Sequence, residues 1–283
     1  MNQRLLANHS LSLSRHGVIV KRLSAIENFG GMDLLCTDKT GTLTEDNITL
    51  IKYVDIGGKP VEDIFAYSYI SSYFRSGFHN PLDTAVKNFK LLVITEYQKV
   101  DEVPFDFTRK RDTVVVRKGQ EQFLISKGAP EEMRKVCAHY GTGESFTLDI
   151  ERAYLDRYHM LSAEGFRVLS VAIKKVPPEQ AVFSVGDEQA MTFLGFIAFL
   201  DPAKQSVTET LQRLEEHGVT IKIITGDNEL VTQKIARDIK LPMRGTLMGH
   251  ELDELTDAQL AQRVETTTIF ARILPEQKKR IIE

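Results

Sequence analysis

The chain has 283 residues, 42% hydrophobic and 27% charged, with a formal net charge of −3. That is enough for two domains of ordinary size, and the composition is that of a globular protein. The slightly acidic balance excludes a general pull toward nucleic acid or anionic membrane, and two cysteines, Cys36 and Cys137, exclude a disulfide framework or a cysteine metal cluster.

In chain order, residues 1–30 read as a mixed lead-in with a short strand at Val18–Val20. Arg4, Arg15, Lys21 and Arg22 against Glu27 make this stretch basic; a solvated end accounts for that, and a membrane-facing stalk is the alternative. Met32–Thr37 is a short apolar run that reads as a buried strand, with Asp38 at its carboxyl end. Ligands of open α/β sheets bind just beyond such ends. Thr40, Gly41, Thr42 and Thr44 then form a tight turn whose amides and hydroxyls suit phosphate oxygens. A carboxylate placed there can act as a nucleophile toward phosphorus. The plain alternative is a polar turn with Asp38 as a helix cap.

Val61–Tyr73 and Pro81–Leu92 have helical spacing, with Asn80-Pro81 as a start signal. Thr113–Arg117 and Gln122–Ser126 flank a turn and predict a hairpin. Glu131–His139 and Leu148–Ala163 predict helices, and Arg167–Ile173 a strand. Phe193–Leu200 predicts a strand and Asp201-Pro202 the start of a helix carrying Val207, Leu211 and Leu214, closed by Gly218. Val219–Ile224 is then a second strand, leading into Thr225-Gly226-Asp227. Strand–helix–strand order of this kind predicts a parallel sheet. The apolar run Phe193–Leu200 falls far short of the roughly 20 residues of a membrane span, and the amino terminus lacks the apolar core of a signal peptide. A reducing cytosol suits the unpaired cysteines.

Four motifs occur in one order: Asp38-Lys39-Thr40-Gly41-Thr42-Leu43-Thr44, Lys127-Gly128-Ala129-Pro130-Glu131, Thr225-Gly226-Asp227-Asn228, and Ala271-Arg272 with Pro275-Glu276-Gln277-Lys278. In this the chain resembles the P-type ATPases, membrane ion pumps that form an aspartyl-phosphate. Residues 18–30 before the aspartate, and Val103–Arg111, are most similar to the bacterial magnesium-translocating branch. The resemblance implies an α/β fold: a haloacid-dehalogenase-like parallel sheet from residues 1–51 and 193–283, with an inserted α+β nucleotide-binding domain on an antiparallel sheet over 52–192. It implies ATP and Mg²⁺ as ligands. Asp38 would be the phosphoryl acceptor, and its side chain and the Thr40 carbonyl would hold Mg²⁺. Thr225 and Gly226 would donate to the phosphoryl oxygens, Asp227 would shape the loop, and Lys278 would offset the charge of the transferring group. Lys278 also lies in the run Lys278-Lys279-Arg280, which on its own reads as a solvated helix face.

For the nucleotide, the resemblance places Phe107 on the adenine, with a core phenylalanine as its alternative. Lys127 would line the same pocket and Gly128 would let the backbone approach the ring. Arg109 and Arg167 would reach phosphates or ribose, and Asp83 would face the adenine amino group. For Asp83 and Arg167 a surface ion pair or a solvated side chain is a rival reading. No phosphate-cradling glycine loop of the Gly-x-Gly-x-x-Gly or Walker type occurs. Thr142-Gly143-Glu144-Ser145 copies the family's dephosphorylation motif but falls after Asp38, and reads as a turn.

The family's actuator domain, its transmembrane domain and its Gly-Asp-Gly-x-Asn-Asp segment do not occur in the sequence. The expectation is therefore an incomplete phosphorylation domain, the cytosolic portion of an inner-membrane pump, that binds nucleotide with weak or no turnover. A haloacid-dehalogenase-like phosphatase and a non-catalytic nucleotide-binding remnant are the two alternatives.

Overall fold

The computed structural model describes residues 3–22, 26, 30–45, 47–77 and 80–282. Residues 23–25 and 27–29 of the approach to Asp38 lie outside the described residues. In chain order the strands are β1 (Leu34–Thr37), β2 (Thr49–Val54), β3 (Tyr97–Asp106), β4 (Arg111–Lys118), β5 (Glu121–Gly128), β6 (Cys137–Tyr140), β7 (Glu144–Ser145), β8 (Arg167–Val176), β9 (Met191–Leu200), β10 (Thr220–Ile224), β11 (Thr246–Met248) and β12 (Ile269–Ala271). The chain divides into two compact units. The first comprises Met1–Lys39, Gln205–Gly226 and Ile239–Glu283; the second comprises Thr40–Lys204 and Asp227–Asp238.

The first unit is built on a parallel sheet in the order β1-β10-β12-β11. Its strands are short; β10 and β12 are mostly buried, whereas β1, expected as a buried strand, is exposed at Leu34 and only half-buried at Leu35, Cys36 and Thr37. Ile224, Leu247, Phe270 and Ile273 pack with Leu252, Leu260 and Ile281 from helices Gly249–Asp253, Asp257–Thr266 and Pro275–Ile282. Because the strands run in one direction, Asp38 after β1, Thr225 after β10 and Arg272 after β12 all leave the sheet at the same edge.

The second unit is a mostly antiparallel sheet in the order β3-β4-β5-β8-β9, with β6 and β2 both on the far edge of β9. The alternation of β9 sorts its side chains onto two faces. Ile197 and Phe199 join Ile64, Phe65 and Tyr69 of helix Glu62–Phe74 and Leu82 and Val86 of helix Pro81–Phe89. Phe196 and Ala198 join Tyr154, Tyr158 and Leu161 of helix Leu148–Ala163. The separate parallel and antiparallel sheets agree with the α/β expectation at that level.

Several local expectations are corrected. Val18–Val20 forms no strand; a helix, Gln3–Arg15, precedes it, and Ile19 is exposed without a sheet neighbour among the described residues. The helix expected over 131–139 stops at Arg134, and Cys137–Tyr140 becomes β6, paired in parallel with β9. A non-local partner there outweighs local helical spacing. Phe193–Leu200 does not lie in the parallel sheet: it belongs to β9, antiparallel to β8 and β2. Strand–helix–strand order therefore misleads here, since β9 and β10 lie in different sheets. The helix expected from Asp201 begins at Val207. Pro202–Lys204 instead runs beside Leu43–Glu45, with Glu45 N–H donating to Pro202 O at 2.8 Å and Lys204 N–H to Leu43 O at 2.9 Å.

Candidate functional site

In the first unit, Asp38 is the first residue past β1. Lys278 lies in the first turn of helix Pro275–Ile282, and its Nζ is 2.5 Å from Asp38 Oδ2. The other oxygen, Oδ1, accepts the Lys39 N–H at 2.8 Å. Both side chains stay open, Lys278 34% and Asp38 45% exposed. An ion pair this accessible is worth at most about 1 kcal/mol, so an incoming anion can take Lys278 from Asp38 at small cost. Thr225 is buried and its backbone is tied to the neighbouring strand and to the loop that follows it: its N–H donates to Phe270 O at 2.9 Å, and its carbonyl accepts Ile273 N–H at 3.0 Å. Gly226 beside it is exposed.

The helix bearing Lys278 is fixed by Gln277, which the sequence reading missed. Its Oε1 accepts the Leu274 N–H at 2.9 Å, and its Nε2 donates to Gly249 O at 3.0 Å and Asp253 Oδ1 at 2.7 Å. Leu274 is the cap position and Gln277 the third helical residue, the place from which Glu or Gln reaches back to the cap. That pattern was available in Pro275-Glu276-Gln277.

In the second unit, Thr40 (φ −74°, ψ 129°) and Gly41 (φ 74°, ψ −13°) have the dihedrals of a type II turn, whose third position favours glycine. Thr40 Oγ1 donates to Asp227 Oδ2 at 3.1 Å, Lys204 Nζ to Gly41 O at 2.7 Å, and Thr44 Oγ1 to Asp201 Oδ2 at 2.9 Å. Threonines read as phosphate donors thus also brace the turn itself.

Register gathers the residues read as nucleotide contacts at one end of the antiparallel sheet. Asp112 pairs with Lys127 and Arg111 with Gly128 across β4 and β5, and Gly128 faces Ser170 of β8, three residues from Arg167. Phe107 stands in the turn between β3 and β4, 87% exposed. A Cβ on Gly128 would lie 2.3 Å from Arg111 Cβ, so the close approach that demands glycine is made by the protein's own β4. Arg167 is half-buried at the start of β8.

Lys127 is 3% exposed, and its Nζ lies 2.6 Å from both Asp83 Oδ1 and Ser72 Oγ. Arg75 joins the same cluster, with Nη1 3.0 Å from Asp83 Oδ2 and Nε 2.5 Å from Asp112 Oδ2. Two carboxylates and two cations therefore neutralise one another in a buried group. Burial pushes the Asp83 carboxyl up, but the Lys127 charge, hydrogen bonds from Lys127 and Ser72, and Arg75 outweigh it and leave its pKa below the usual value. Asp112 goes the other way: burial dominates, Asp83 adds to it, and Lys127 and Arg75 do not offset the rise. Asp83, read as facing the adenine amino group with an ion pair as the rival reading, is thus paired with Lys127 and Arg75. Arg109 is likewise committed inside the protein, to Glu188, Asp106 and Pro104. Arg75, Ser72, Asp112 and Glu188 were not foreseen.

Thr142–Ser145 lies in a tight turn into β7, with Glu144 Oε1 and Oε2 accepting from Thr142 Oγ1 and N–H at 2.8 and 2.9 Å. A cavity of about 250 Å³ in the first unit is lined by Thr220, Lys222, Thr267 and Thr268, at the amino-terminal edge of the parallel sheet, away from Asp38. Among the described residues no helix is long and apolar enough to cross a membrane, and no group of three or more His, Cys, Asp or Glu side chains is placed to hold a metal.

Comparison with known proteins gives one consistent picture. The family described as P-type ATPase, cytoplasmic domain N, matches residues 77–206. The magnesium-transporting ATPase, P-type 1, of Escherichia coli strain K12 is 40% identical over 286 aligned residues, covering 98% of this chain and 32% of the relative. The protein of the same name from Salmonella typhimurium strain LT2 gives the same identity and coverage, 40%, 98% and 32%. The calcium-transporting ATPase 1 of Lactococcus lactis is 28% identical over 298 residues, 95% of this chain and 34% of the relative. The chain thus spans about a third of the length of the curated relatives it matches.

Proposed function

We propose, from the premise that this chain belongs to the P-type ATPases and carries their cytoplasmic domain N, that it is the nucleotide-binding and phosphoryl-accepting portion of a cation pump. The observation that carries the acceptor role is the exposed Asp38–Lys278 pair at the carboxyl edge of the parallel sheet, 2.5 Å long. Four parallel strands with the acceptor directly after β1 support a haloacid-dehalogenase-like phosphorylation domain. The names of the relatives support Mg²⁺ as the cation moved, and the description of the matching family as a cytoplasmic domain supports the cytosolic side of the membrane as the location.

In this reading an Asp38 carboxylate oxygen attacks the γ-phosphorus of ATP. The new O–P bond forms as the bond to the β-phosphate oxygen breaks, and ADP leaves. Two anions meet in that step, so their charge must be offset. Lys278 does so by turning from the carboxylate to the phosphoryl oxygens, acting as a point charge. Thr225 and Gly226 donate to the same oxygens, and Asp227 shapes the loop. The Asp38 carboxylate and the Thr40 carbonyl are hard oxygen donors of the type that holds Mg²⁺; bound there, the ion would neutralise charge on the transferring group. In the second unit Phe107 offers its face to adenine, Lys127, held by Asp83, lines the same pocket, and Arg167 reaches toward ribose or phosphate.

The test is labelling of the purified chain with Mg²⁺ and ATP carrying a γ-phosphorus label. The expected result is an acid-stable, hydroxylamine-labile label that disappears in Asp38→Asn. Release of phosphate from small esters with no acyl-phosphate would replace this reading with that of a phosphatase.

A further inference from the structure

Phe107 is a large aromatic ring held in water, and the turn that carries it is unusually tied down. Asp106 Oδ1 accepts the N–H groups of Thr108 and Arg109, both at 2.8 Å, and the Lys110 N–H donates to Asp106 O at 2.9 Å. Lys110 takes a positive φ of 48° to close the turn. Phe105 meets the Phe107 ring edge-on, with centroids 5.5 Å apart.

The turn is also anchored from outside. Glu188, fully buried in the segment before β9, receives Arg109 Nη1 on both oxygens at 2.8 and 2.7 Å. It further accepts Arg111 Nε at 2.8 Å and Thr113 Oγ1 at 2.6 Å. Arg109 also donates from Nε to Asp106 and from Nη2 to Pro104 O, the latter at 2.6 Å. Burial works against the Arg109 charge, but Glu188 and then Asp106 outweigh it and raise its pKa. Glu188 in turn follows the single turn Val185–Asp187, where Asp187 Oδ2 accepts the Ser184 N–H at 2.8 Å. A segment some 80 residues downstream thereby fixes the residue two places from Phe107.

We propose that Glu188, acting through Arg109, is the positioning residue for Phe107, holding the turn so that the ring is preset to stack on a planar base. This rests on the nucleotide-binding reading above. A braced turn has less freedom to lose when the ligand arrives, and that saving appears as affinity. The arrangement also gives Arg109 a use other than phosphate contact, since four of its five N–H donors are engaged within the protein.

The test is titration of the chain with ATP and with adenosine, by calorimetry and by NMR respectively. Parent, Phe107→Ala, Glu188→Gln, Arg109→Lys and the Phe107→Ala/Arg109→Lys double variant are compared. Arg109→Lys is included because it leaves Arg111 on Glu188, whereas Glu188→Gln disturbs both arginines. Either single change at the brace is expected to weaken ATP and adenosine by the same factor, about fivefold. In the Phe107→Ala background Arg109→Lys is expected to add nothing, because both changes remove one coupled interaction. Additive losses would overturn the proposal, as would a loss for ATP without one for adenosine. Phe107→Ala binding ATP like the parent would overturn the nucleotide reading itself, and the brace with it.

Discussion

Two lysine–carboxylate pairs of almost equal length sit in opposite surroundings. Asp38–Lys278, at 2.5 Å, leaves its side chains 45% and 34% exposed; Asp83–Lys127, at 2.6 Å, leaves 9% and 3%. Distance does not rank them, but solvent does. Water screens the first pair, so opening it costs little and its carboxylate is available for reaction. The second is shielded and joined to Arg75 and Asp112, so removing one member strands a charge. One pair suits chemistry and the other suits architecture around a ligand.

The largest effect that tests this contrast is on stability. Asp83→Ala is expected to cost about 3–5 kcal/mol in urea unfolding, because Lys127 and part of Arg75 are left buried without a partner. Asp38→Ala is expected to stay within about 1 kcal/mol of the parent. Equal losses would erase the distinction. Next in size is Gln277→Ala, which removes the hold on the helix carrying Lys278. A loss of about 1–3 kcal/mol is expected, since the Leu274 N–H and Gly249 O lose their partner. An unchanged melting curve would show that the exposed pair needs no such support.

The pH response sharpens the picture on the buried side. Asp83 has a lowered folded pKa, and so does Glu102, where burial is outweighed by Lys99 and Ser76 and the value falls to about 2. Their stabilisation is therefore complete above the unfolded value near about 4 and is lost as pH falls through the folded values. Asp112, with a raised folded pKa, contributes in the opposite sense: its share is present below about 4 and is lost as pH rises through the folded value. Glu102→Gln is expected to flatten the acid limb of a melting-temperature profile. Asp112→Asn is expected to gain on the parent as pH rises from about 4 toward neutrality. A Glu102→Gln profile parallel to the parent's would contradict the first expectation.

The smallest effect compares the two thiols. Burial pushes the Cys137 pKa to about 12 and raises that of Cys36 as well, where Lys222 partly offsets it. Iodoacetamide at mildly alkaline pH is expected to modify Cys36 before Cys137, because the thiolate is the reactive form. The reverse order, read by peptide mass, would break that ranking.

What the sequence made legible follows how local each feature is. Helix Leu148–Ala163 carries its signals within itself: Thr147 caps it and Gly165 follows it. The hairpin between β4 and β5 was readable from two apolar runs about Gly119-Gln120, and its register already implies that Asp112 faces Lys127. That Asp38 and Thr225 each follow an apolar run was readable, but the order that predicted their parallel sheet used Phe193–Leu200, which lies in the other sheet. What stayed hidden depends on distant partners. Cys137–Tyr140 becomes a strand because β9 is there to receive it. Residues 177–190 have no periodicity, so nothing local marks Glu188 as the partner of Arg109 and Arg111. Arg75, just past a helix end, finds Asp83 and Asp112 through the fold alone.

The division between a reactive pair and an architectural pair is tested most directly by the affinity for ATP without Mg²⁺ of Asp38→Asn beside that of Asp83→Asn, measured by calorimetry on folded protein. The expected result is that Asp38→Asn binds at least as tightly as the parent, since one negative charge facing phosphate is gone, while Asp83→Asn binds about tenfold more weakly, a loss of about 1.4 kcal/mol. Equal losses in the two variants, or an Asp83→Asn that binds like the parent, would contradict the account.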